Sequence, residues 1–279
     1  MSDRDQSGCR NAVERLEASA HGLGIELSPA QLDLFARYCC LIVETSRKMN
    51  VTALRTPDQV ATGLFLDSLA LAAALAESVR FHTELSLVDV GSGAGIPGLP
   101  LRILHPGWDV TLVESIGKKA SFLTDLSSVL GLTDVCILHE RAEQLGRDEQ
   151  WREVFQLCVA RAVAPLATLL ELCVPLVRPG GLLAFAKGPD WEAEAQEAGS
   201  AASLLGVAQP RAIRLTTMVG SGPRVVVMYD KISPTPRRFP RRPGMPRTHP
   251  LGAKSRGRGE SRERQERAKS QLPPDPESE

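Results

Sequence analysis

The stretch Leu87-Val88-Asp89-Val90-Gly91-Ser92-Gly93-Ala94-Gly95-Ile96-Pro97-Gly98 decides the fold of this 279-residue chain. The apolar run before the glycines is typical of a parallel strand that is buried on both faces. Glycines at three alternate positions allow a turn with positive φ angles, in which the backbone can come close to a ligand. Pro97 suits the first turn of a following helix. The stretch therefore predicts a strand, a ligand-binding turn and a helix.

The glycine spacing distinguishes two classes of nucleotide-binding turn. A dinucleotide fingerprint requires G-x-G-x-x-G, and Ile96 stands where its third glycine would be. The pattern from Asp89 to Gly95 is D-x-G-x-G-x-G, which resembles the first motif of the S-adenosylmethionine-dependent methyltransferases. The next predicted strand ends at Glu114, whose carboxylate can accept hydrogen bonds from both hydroxyls of a ribose. We therefore predict that S-adenosyl-L-methionine is the cofactor and that it is bound by Gly91, Gly93, Gly95 and Glu114.

Strands alternate with helices beyond residue 84, which favours a doubly wound parallel sheet. Strands are predicted at 85–90, 109–114, 135–138, 154–160, 182–186, 211–216 and 224–229. The last two are expected to form an antiparallel pair at the sheet edge, after one long helix at about 191–205. The predicted fold class is therefore α/β: a class I (Rossmann-like) methyltransferase with a seven-stranded, mostly parallel sheet and helices on both faces.

The chain divides into three predicted parts. Residues 1–80 form a helical N-terminal cap, in which Ser28 and Gln31 make a capping box around Pro29. Residues 81–232 form the methyltransferase core. Residues 233–279 form a basic tail rich in proline and glycine. Because the tail has few apolar residues to offset its ordering entropy, we predict that it is disordered and that residues after about 237 are dispensable for folding and for cofactor binding.

The net charge of zero conceals an uneven distribution. Residues 237–279 contain 12 Lys/Arg and 6 Asp/Glu, which leaves 21 basic and 27 acidic residues in 1–236. An acidic body with a basic tail indicates contact with a polyanion through the tail. A solvated end without a partner is the alternative.

The cysteine pattern and the apolar stretches argue against several classes of protein. The six cysteines include no C-x-x-C pair, so we expect no metal site and no disulfide framework. The polar first 11 residues show no signal peptide. The longest apolar stretch, 64–76, is interrupted by Asp67 and is too short to span a bilayer. We expect a cytoplasmic protein without membrane contact, and a monomer.

Several stretches together resemble the small-subunit ribosomal RNA methyltransferase G family, also called glucose-inhibited division protein B. The resemblance covers roughly residues 30–230 and rests on G-S-G-A-G-I-P-G-L-P-L at 91–101, V-E-S-I-G-K-K-A-S-F-L at 113–123, R-A-E at 141–143, A-R-A at 160–162, A-K-G at 186–188, K-M-N-V-T at 48–52 and F-L-D-S-L at 65–69. It implies that the protein methylates N7 of one guanosine in 16S rRNA, with S-adenosylmethionine as the methyl donor. The expected partner is 16S rRNA or a precursor of the small ribosomal subunit.

The resemblance also implies contacts with the cofactor. Gly91 and Ile96 would contact it from the glycine loop, and Ala142 and Glu143 would meet its adenine through a backbone amide and a carboxylate. Arg161, at the end of the fourth strand, would pair with the carboxylate of the methionine moiety or with an RNA phosphate. The alternative for this arginine is a side chain that extends to solvent from a strand end.

Substrate contacts are implied less directly, at Asn50 and Lys187. For Lys187 the alternative is a solvated lysine in a loop. The chain departs from the family pattern at Leu64, where a histidine is usual, and at Thr45, where a tryptophan is common. Both positions lie in the cap and leave the details of RNA contact open.

The implied chemistry requires no general base, because N7 of guanine carries a lone pair and no proton. The catalytic task is to align that lone pair with the methyl group, so we predict no catalytic acid or base. Two alternatives remain open. One is a class I methyltransferase acting on a small molecule or a protein, and the other is a non-enzymatic RNA-binding module that retains the cofactor fold.

Overall fold

A seven-stranded sheet lies at the centre of the computed structural model, which describes residues 3–76, 84–215 and 224–252. The strands are β1 (Ser86–Val90), β2 (Asp109–Val113), β3 (Cys136–Leu138), β4 (Phe155–Arg161), β5 (Val177–Lys187), β6 (Arg211–Leu215) and β7 (Arg224–Asp230). Their spatial order is β3-β2-β1-β4-β5-β7-β6. Strands β1 to β5 are parallel, and β7 is antiparallel to both β5 and β6. The predicted sheet is confirmed, and its strand order reverses between β1 and β4.

Helices cover both faces of the sheet. They are α1 (Asp3–His21), α2 (Pro29–Lys48), α3 (Pro57–Val60), α4 (Asp67–Ala76), α5 (Gly98–Leu104), α6 (Gly117–Leu130), α7 (Ala142–Leu145), α8 (Leu166–Cys173), α9 (Trp191–Glu197), α10 (Gly199–Leu205) and α11 (Met245–Thr248), with a π-helical turn at Ala61–Leu66 and a 3-10 turn at Val174–Leu176. Leu87 packs into the core beneath α2 and α5, whereas Val88 packs into the core beneath α8. Successive strand side chains point to opposite faces, so a strand covered on both sides is apolar throughout.

The N-terminal helices join the sheet through one continuous core. The predicted capping box is confirmed: Ser28 Oγ accepts a hydrogen bond from the Gln31 amide at 3.3 Å, and Gln31 Oε1 accepts one from the Ser28 amide at 2.8 Å. Gln31 also donates through Nε2 to the Ile103 carbonyl at 2.9 Å, which ties α2 to the end of α5. The boundary predicted at residue 80 falls outside the described residues, and the division into cap and core stays a prediction.

The apolar segment near residue 64 is longer than the sequence suggested. Helical backbone runs from Pro57 to Ala76, 20 residues with a hydropathy of 1.5. Among the described residues it is the one helix long and apolar enough to cross a membrane. However, 72% of its most apolar window is buried inside the protein. Its composition is therefore explained by its place in the core.

Two boundaries in the second half differ from the predicted ones. Strand β5 begins at Val177, and the Arg178-Pro179-Gly180-Gly181 turn lies within it as an irregularity, next to a register shift between β4 and β5. The long helix predicted at 191–205 is two helices, α9 and α10. The second begins at Gly199, a residue type of low helix propensity.

The prediction of a disordered tail from residue 233 is wrong for residues 233–252, which we call the C-terminal strap. Thr235 and Phe239 of the strap are buried. Arg152 donates to the Phe239 carbonyl at 2.8 Å and to the Thr235 carbonyl at 2.6 Å. Specific hydrogen bonds of this kind order the strap despite its few apolar residues, and composition alone does not reveal them. Residues 253–279 lie outside the described residues.

Candidate active site

A cavity of about 320 Å³ lies at the carboxyl ends of β1, β2 and β4. Its lining comprises Val90, Gly91, Val113, Ser115, Ile116, Glu140, Arg141, Ala142, Glu143, Val163, Thr168, Leu172, Gly244 and Arg247. In open α/β sheets, ligands bind outside the carboxyl ends of the strands where the strand order reverses. The volume also lies in the range of small-molecule sites. Three of the predicted cofactor residues, Gly91, Ala142 and Glu143, line this cavity.

The glycine loop begins at Gly91 and is held against the end of β2. The amides of Gly91 and Ser92 both donate to the Val113 carbonyl, at 2.8 and 3.1 Å. Gly91 has a φ of +75°, and a Cβ atom there would lie 2.7 Å from Val163 Cγ2. Because Val163 also lines the cavity, a side chain at position 91 would displace it. Glycine is therefore required here by both conformation and space.

Glu114 is hydrogen-bonded to the backbone of the glycine loop. Its carboxylate accepts hydrogen bonds from the amides of Gly93 at 3.0 Å and Ile116 at 2.8 Å, and the residue is buried. A carboxylate has about four acceptor sites, so two bonds do not exhaust it. The described contacts thus give Glu114 a structural role in the loop, and its bonds to ribose stay a prediction.

Gly95 and Ile96 are buried and belong to the packing of the loop on the cap. A Cβ atom at Gly95 would lie 2.8 Å from Tyr38 Oη of α2. The Tyr38 hydroxyl donates to the Ala94 carbonyl at 2.5 Å. Burial raises the pKa of Tyr38 well above its usual value, so the hydroxyl keeps its proton and remains a donor. The cap therefore helps to shape the loop.

Asp89 lies beneath the loop, and sequence reasoning assigned it no separate role. Its Oδ2 accepts a hydrogen bond from the Gly98 amide at 2.9 Å, which joins the end of β1 to the start of α5. Full burial is the main cause that raises the pKa of Asp89 to about 7. The signal available in the sequence was an acidic residue inside an otherwise apolar strand.

Arg161 has a partner that the sequence did not indicate. Its Nη2 lies 3.2 Å from Asp67 Oδ2 of α4 and donates to the Gly63 carbonyl at 2.6 Å. Arg224 Nη1 reaches the same Asp67 oxygen at 3.0 Å. Burial lowers the pKa of Arg161 and raises the pKa of Asp67. Arg161 is thus a largely buried side chain rather than one extended to solvent, and its contact with the cofactor stays a prediction.

The two predicted substrate residues lie outside the lining of the cavity. Lys187 Nζ pairs with Glu194 Oε2 at 2.6 Å and donates to the Ala164 carbonyl at 3.2 Å, so it is not a solvated loop lysine. Asn50 is exposed, and its Oδ1 accepts a hydrogen bond from Arg55 Nη2 at 3.0 Å. Of the two departures from the family pattern, Leu64 is buried and Thr45 lines a groove between α2 and α6.

The sequence also missed part of the cavity lining. Ser115 and Ile116 lie in a motif that was noted without a role for either residue. Thr168 and Leu172 come from the buried side of α8, and Gly244 and Arg247 come from the C-terminal strap. No local pattern marks these residues, because folding brings them to the cavity from distant parts of the chain.

Within residues 3–76, 84–215 and 224–252, no group of three or more His, Cys, Asp or Glu side chains is arranged to hold a metal ion. All six cysteines are free thiols, five of them buried. The five buried cysteines lie in the core as small apolar side chains.

Comparison with known proteins assigns the family. A family model described as rRNA small subunit methyltransferase G matches residues 31–217. The ribosomal RNA small subunit methyltransferase G of Roseiflexus sp. (strain RS-1) is 40% identical over 239 residues, 86% of this chain and 100% of that protein. The protein of the same name from Carboxydothermus hydrogenoformans is 39% identical over 228 residues, 82% of this chain and 95% of that protein.

Solved structures with a similar fold include TrmN from Thermus thermophilus, at a TM-score of 0.45 and 19% identity over 60% of this chain and 49% of that chain. The family assignment itself rests on the family model and the two relatives. The chain belongs to the rRNA small subunit methyltransferase G family, whose members are S-adenosylmethionine-dependent methyltransferases.

Proposed function

We propose that this protein transfers a methyl group from S-adenosylmethionine to N7 of a specific guanosine in 16S rRNA. The observation that carries the proposal is the cavity at the carboxyl ends of β1, β2 and β4, where Gly91 meets Ala142 and Glu143 from a second family motif. Family membership supports ribosomal RNA as the substrate class. The protein acts as a cytoplasmic monomer on free rRNA or on a precursor of the small subunit.

We assign eight residues to this cofactor, of which Gly91, Ala142 and Glu143 line the cavity. Gly91, Gly93, Gly95 and Ile96 hold it from the glycine loop, Glu114 binds the ribose, Ala142 and Glu143 bind the adenine, and Arg161 pairs with its carboxylate. Support comes from Gly91, where a Cβ atom would meet Val163, so the backbone itself faces the cavity. The bound cofactor supplies an electrophilic methyl group on a positively charged sulfur.

The chain's own contribution to the reaction is orientation and exclusion of water. N7 of guanine needs no deprotonation, so alignment of the two reactants supplies the rate enhancement. The buried carboxyl groups of Glu114 and Glu143 place acidic side chains beside a cavity that receives a cationic ligand. A charge attracts its opposite more strongly in a partly buried site than in water.

Asn50 and Lys187 contact the RNA in this proposal. Lys187 is held by Glu194 and by the Ala164 carbonyl, so its ammonium group is already positioned. An RNA phosphate would compete with the Glu194 carboxylate for that group. Asn50 presents an exposed amide at the end of the second cap helix.

The test measures S-adenosylhomocysteine binding by calorimetry and maps methylation of 16S rRNA by mass spectrometry. Gly91→Ala should weaken binding at least tenfold, because its Cβ atom would displace Val163, which lines the cavity. Gly131→Ala is the matched control: it places Ala at a φ of +74°, close to that of Gly91, but its Cβ atom meets nothing within 4 Å and the residue does not line the cavity. Circular dichroism should show both variants folded.

Two results would overturn the proposal. The first is a wild-type protein that fails to bind S-adenosylhomocysteine. The second is methyl transfer to a protein or a small molecule with none to N7 of guanosine in rRNA, which would favour the other class of methyltransferase.

A further inference from the structure

The C-terminal strap forms one wall of the cavity. Gly244 and Arg247 line it from the strap, together with Ala142 and Glu143 at α7 and Thr168 on α8. The matched family model ends at residue 217, so the strap lies beyond it. None of the cofactor motifs includes the strap, yet the strap supplies Gly244 and Arg247 to the cavity lining.

A buried ion pair holds the strap on α8. Arg241 donates through Nε to Glu171 Oε1 at 2.8 Å and through Nη2 to Glu171 Oε2 at 2.6 Å, and its backbone amide donates to Oε1 at 2.8 Å. The Glu171 side chain has no solvent exposure. Burying a carboxylate is unfavourable unless it is paired and hydrogen-bonded. The buried carboxylate of Glu171 on α8 therefore depends on Arg241 for its counter-charge and its hydrogen bonds.

Two residues that line the cavity are bonded to the strap directly. The Gly244 amide donates to Glu143 Oε1 at 2.9 Å, and Glu143 is buried. The Thr168 hydroxyl donates to the Pro246 carbonyl at 3.0 Å, and Thr168 is buried as well. The strap thus positions the carboxylate that family resemblance assigns to adenine, while the second Glu143 oxygen can serve a ligand.

Arg247 places a guanidinium group on the side of the cavity that the strap forms. It is exposed, it lines the cavity, and its Nη2 lies 3.4 Å from the Val163 carbonyl oxygen. A guanidinium group can stack on an aromatic ring and can donate to ring nitrogens. Adenine offers both a ring face and acceptor nitrogens, and the residues assigned to it, Ala142 and Glu143, line the same cavity.

We infer that the C-terminal strap is part of the cofactor site and that Arg247 contacts the adenosine moiety of S-adenosylmethionine. The inference rests on the proposed function, because it names a further part of the same site. It replaces the expectation that residues beyond 237 are dispensable for cofactor binding.

The test compares two arginines of the strap by calorimetry with S-adenosylhomocysteine as the probe. Arg247→Ala should weaken binding roughly tenfold, as expected for the loss of one charged contact. Arg242→Ala removes the same charge from an exposed position of the same segment that does not line the cavity. Its affinity should stay within about twofold of the wild type.

A second pair of variants tests the strap as a whole. The double variant Arg241→Met/Glu171→Met removes the ion pair without leaving a lone buried charge, and such replacements often preserve stability. It should keep its thermal transition but bind S-adenosylhomocysteine at least tenfold more weakly. A truncation after Gly252 keeps the strap and should bind as the full chain does.

The outcomes separate the inference from the proposed function. If the full chain does not bind S-adenosylhomocysteine, the proposed function fails. If the full chain binds and both Arg247→Ala and the double variant bind as tightly as Arg242→Ala, the inference is overturned and the function stands. If Arg247→Ala keeps its cofactor affinity but loses affinity for 16S rRNA, the arginine is an RNA contact, and the inference is again overturned.

Discussion

At the scale of single residues, Asp89 has a carboxyl group fully buried beneath the glycine loop. Burial raises its pKa from 3.8 to about 7, and the nearby Glu114 charge acts in the same direction. Hydrogen bonds from the Gly98 amide and from Ser92 lower the pKa and offset only part of the effect. The folded protein therefore binds this proton more tightly than the unfolded chain does.

The resulting prediction concerns pH. Because the folded-state pKa is raised, the free energy of unfolding should fall as pH rises from about 4 to about 7, by on the order of 4 kcal/mol. Asp89→Asn cannot ionise, so its stability relative to the wild type should increase over that range. Urea unfolding of both proteins at pH 5 and pH 7.5 measures the difference. Parallel pH dependences for the two proteins would contradict the prediction.

At the scale of elements, Asp67 connects three parts of the fold. It is the first residue of α4, and it pairs with Arg161 at the end of β4 and Arg224 at the start of β7. Burial shifts the pKa of Asp67 upward and that of Arg161 downward, so desolvation opposes the charged form of each partner. The ion pair between Asp67 and Arg161 therefore serves to orient α4 against β4 more than to stabilise the fold.

Removing Asp67 alone should lower the free energy of unfolding more than removing both Asp67 and Arg161. Asp67→Ala leaves Arg161 partly buried without a counter-charge, and we expect a loss of about 3 kcal/mol in the free energy of unfolding. The double variant Asp67→Ala/Arg161→Met should lose less. Glu44→Ala breaks the exposed pair with Lys48 and serves as a control with little effect. Denaturant unfolding of the three variants tests this, and equal losses for the single and double variants would argue against it.

At the scale of the whole molecule, part of the basic charge that was predicted for a disordered tail lies on the ordered C-terminal strap. Five of the 12 basic residues in 237–279 lie in 237–252, a stretch without Asp or Glu, whereas 253–279 contains seven basic and six acidic residues. Arg237, Arg238 and Arg242 are exposed on the strap. Positive charge on this ordered segment, which also contributes Gly244 and Arg247 to the cavity lining, can attract RNA phosphates without reading sequence.

Replacing these three arginines should change the salt dependence of RNA binding. Each phosphate contact contributes about 0.7 to 0.9 to the slope of log affinity against log salt concentration. The variant Arg237→Gln/Arg238→Gln/Arg242→Gln should therefore reduce the slope for 16S rRNA by about 2. Deleting 253–279 should reduce it less, and both proteins should keep their S-adenosylhomocysteine affinity. A larger effect of the deletion would place the RNA contact in the terminal residues instead.

Local patterns in the sequence determined the strands, the glycine loop and the family. The apolar run at 85–90, the alternate glycines and the capping box each depend on residues a few positions apart, so they can be seen before folding. Patterns of this kind predicted the seven-stranded sheet and a ligand-binding turn at Gly91, whereas Ala142 and Glu143 were implied by the family resemblance. The same patterns predicted one helix at 191–205 without the break before Gly199, and they began the fifth strand at residue 182 instead of 177, because tertiary packing sets such boundaries.

Only the tertiary structure decided which charged groups meet and whether the C-terminal strap is ordered. Arg241 lies 70 residues from Glu171 in sequence, and Gly244 lies 101 residues from Glu143. Composition correctly showed that the strap has little apolar surface to bury, but it could not show that α7 and α8 present buried carboxylates to it. A few charged hydrogen bonds in a buried setting can offset the ordering entropy that apolar burial would otherwise have to offset, and their geometry exists only in the folded chain.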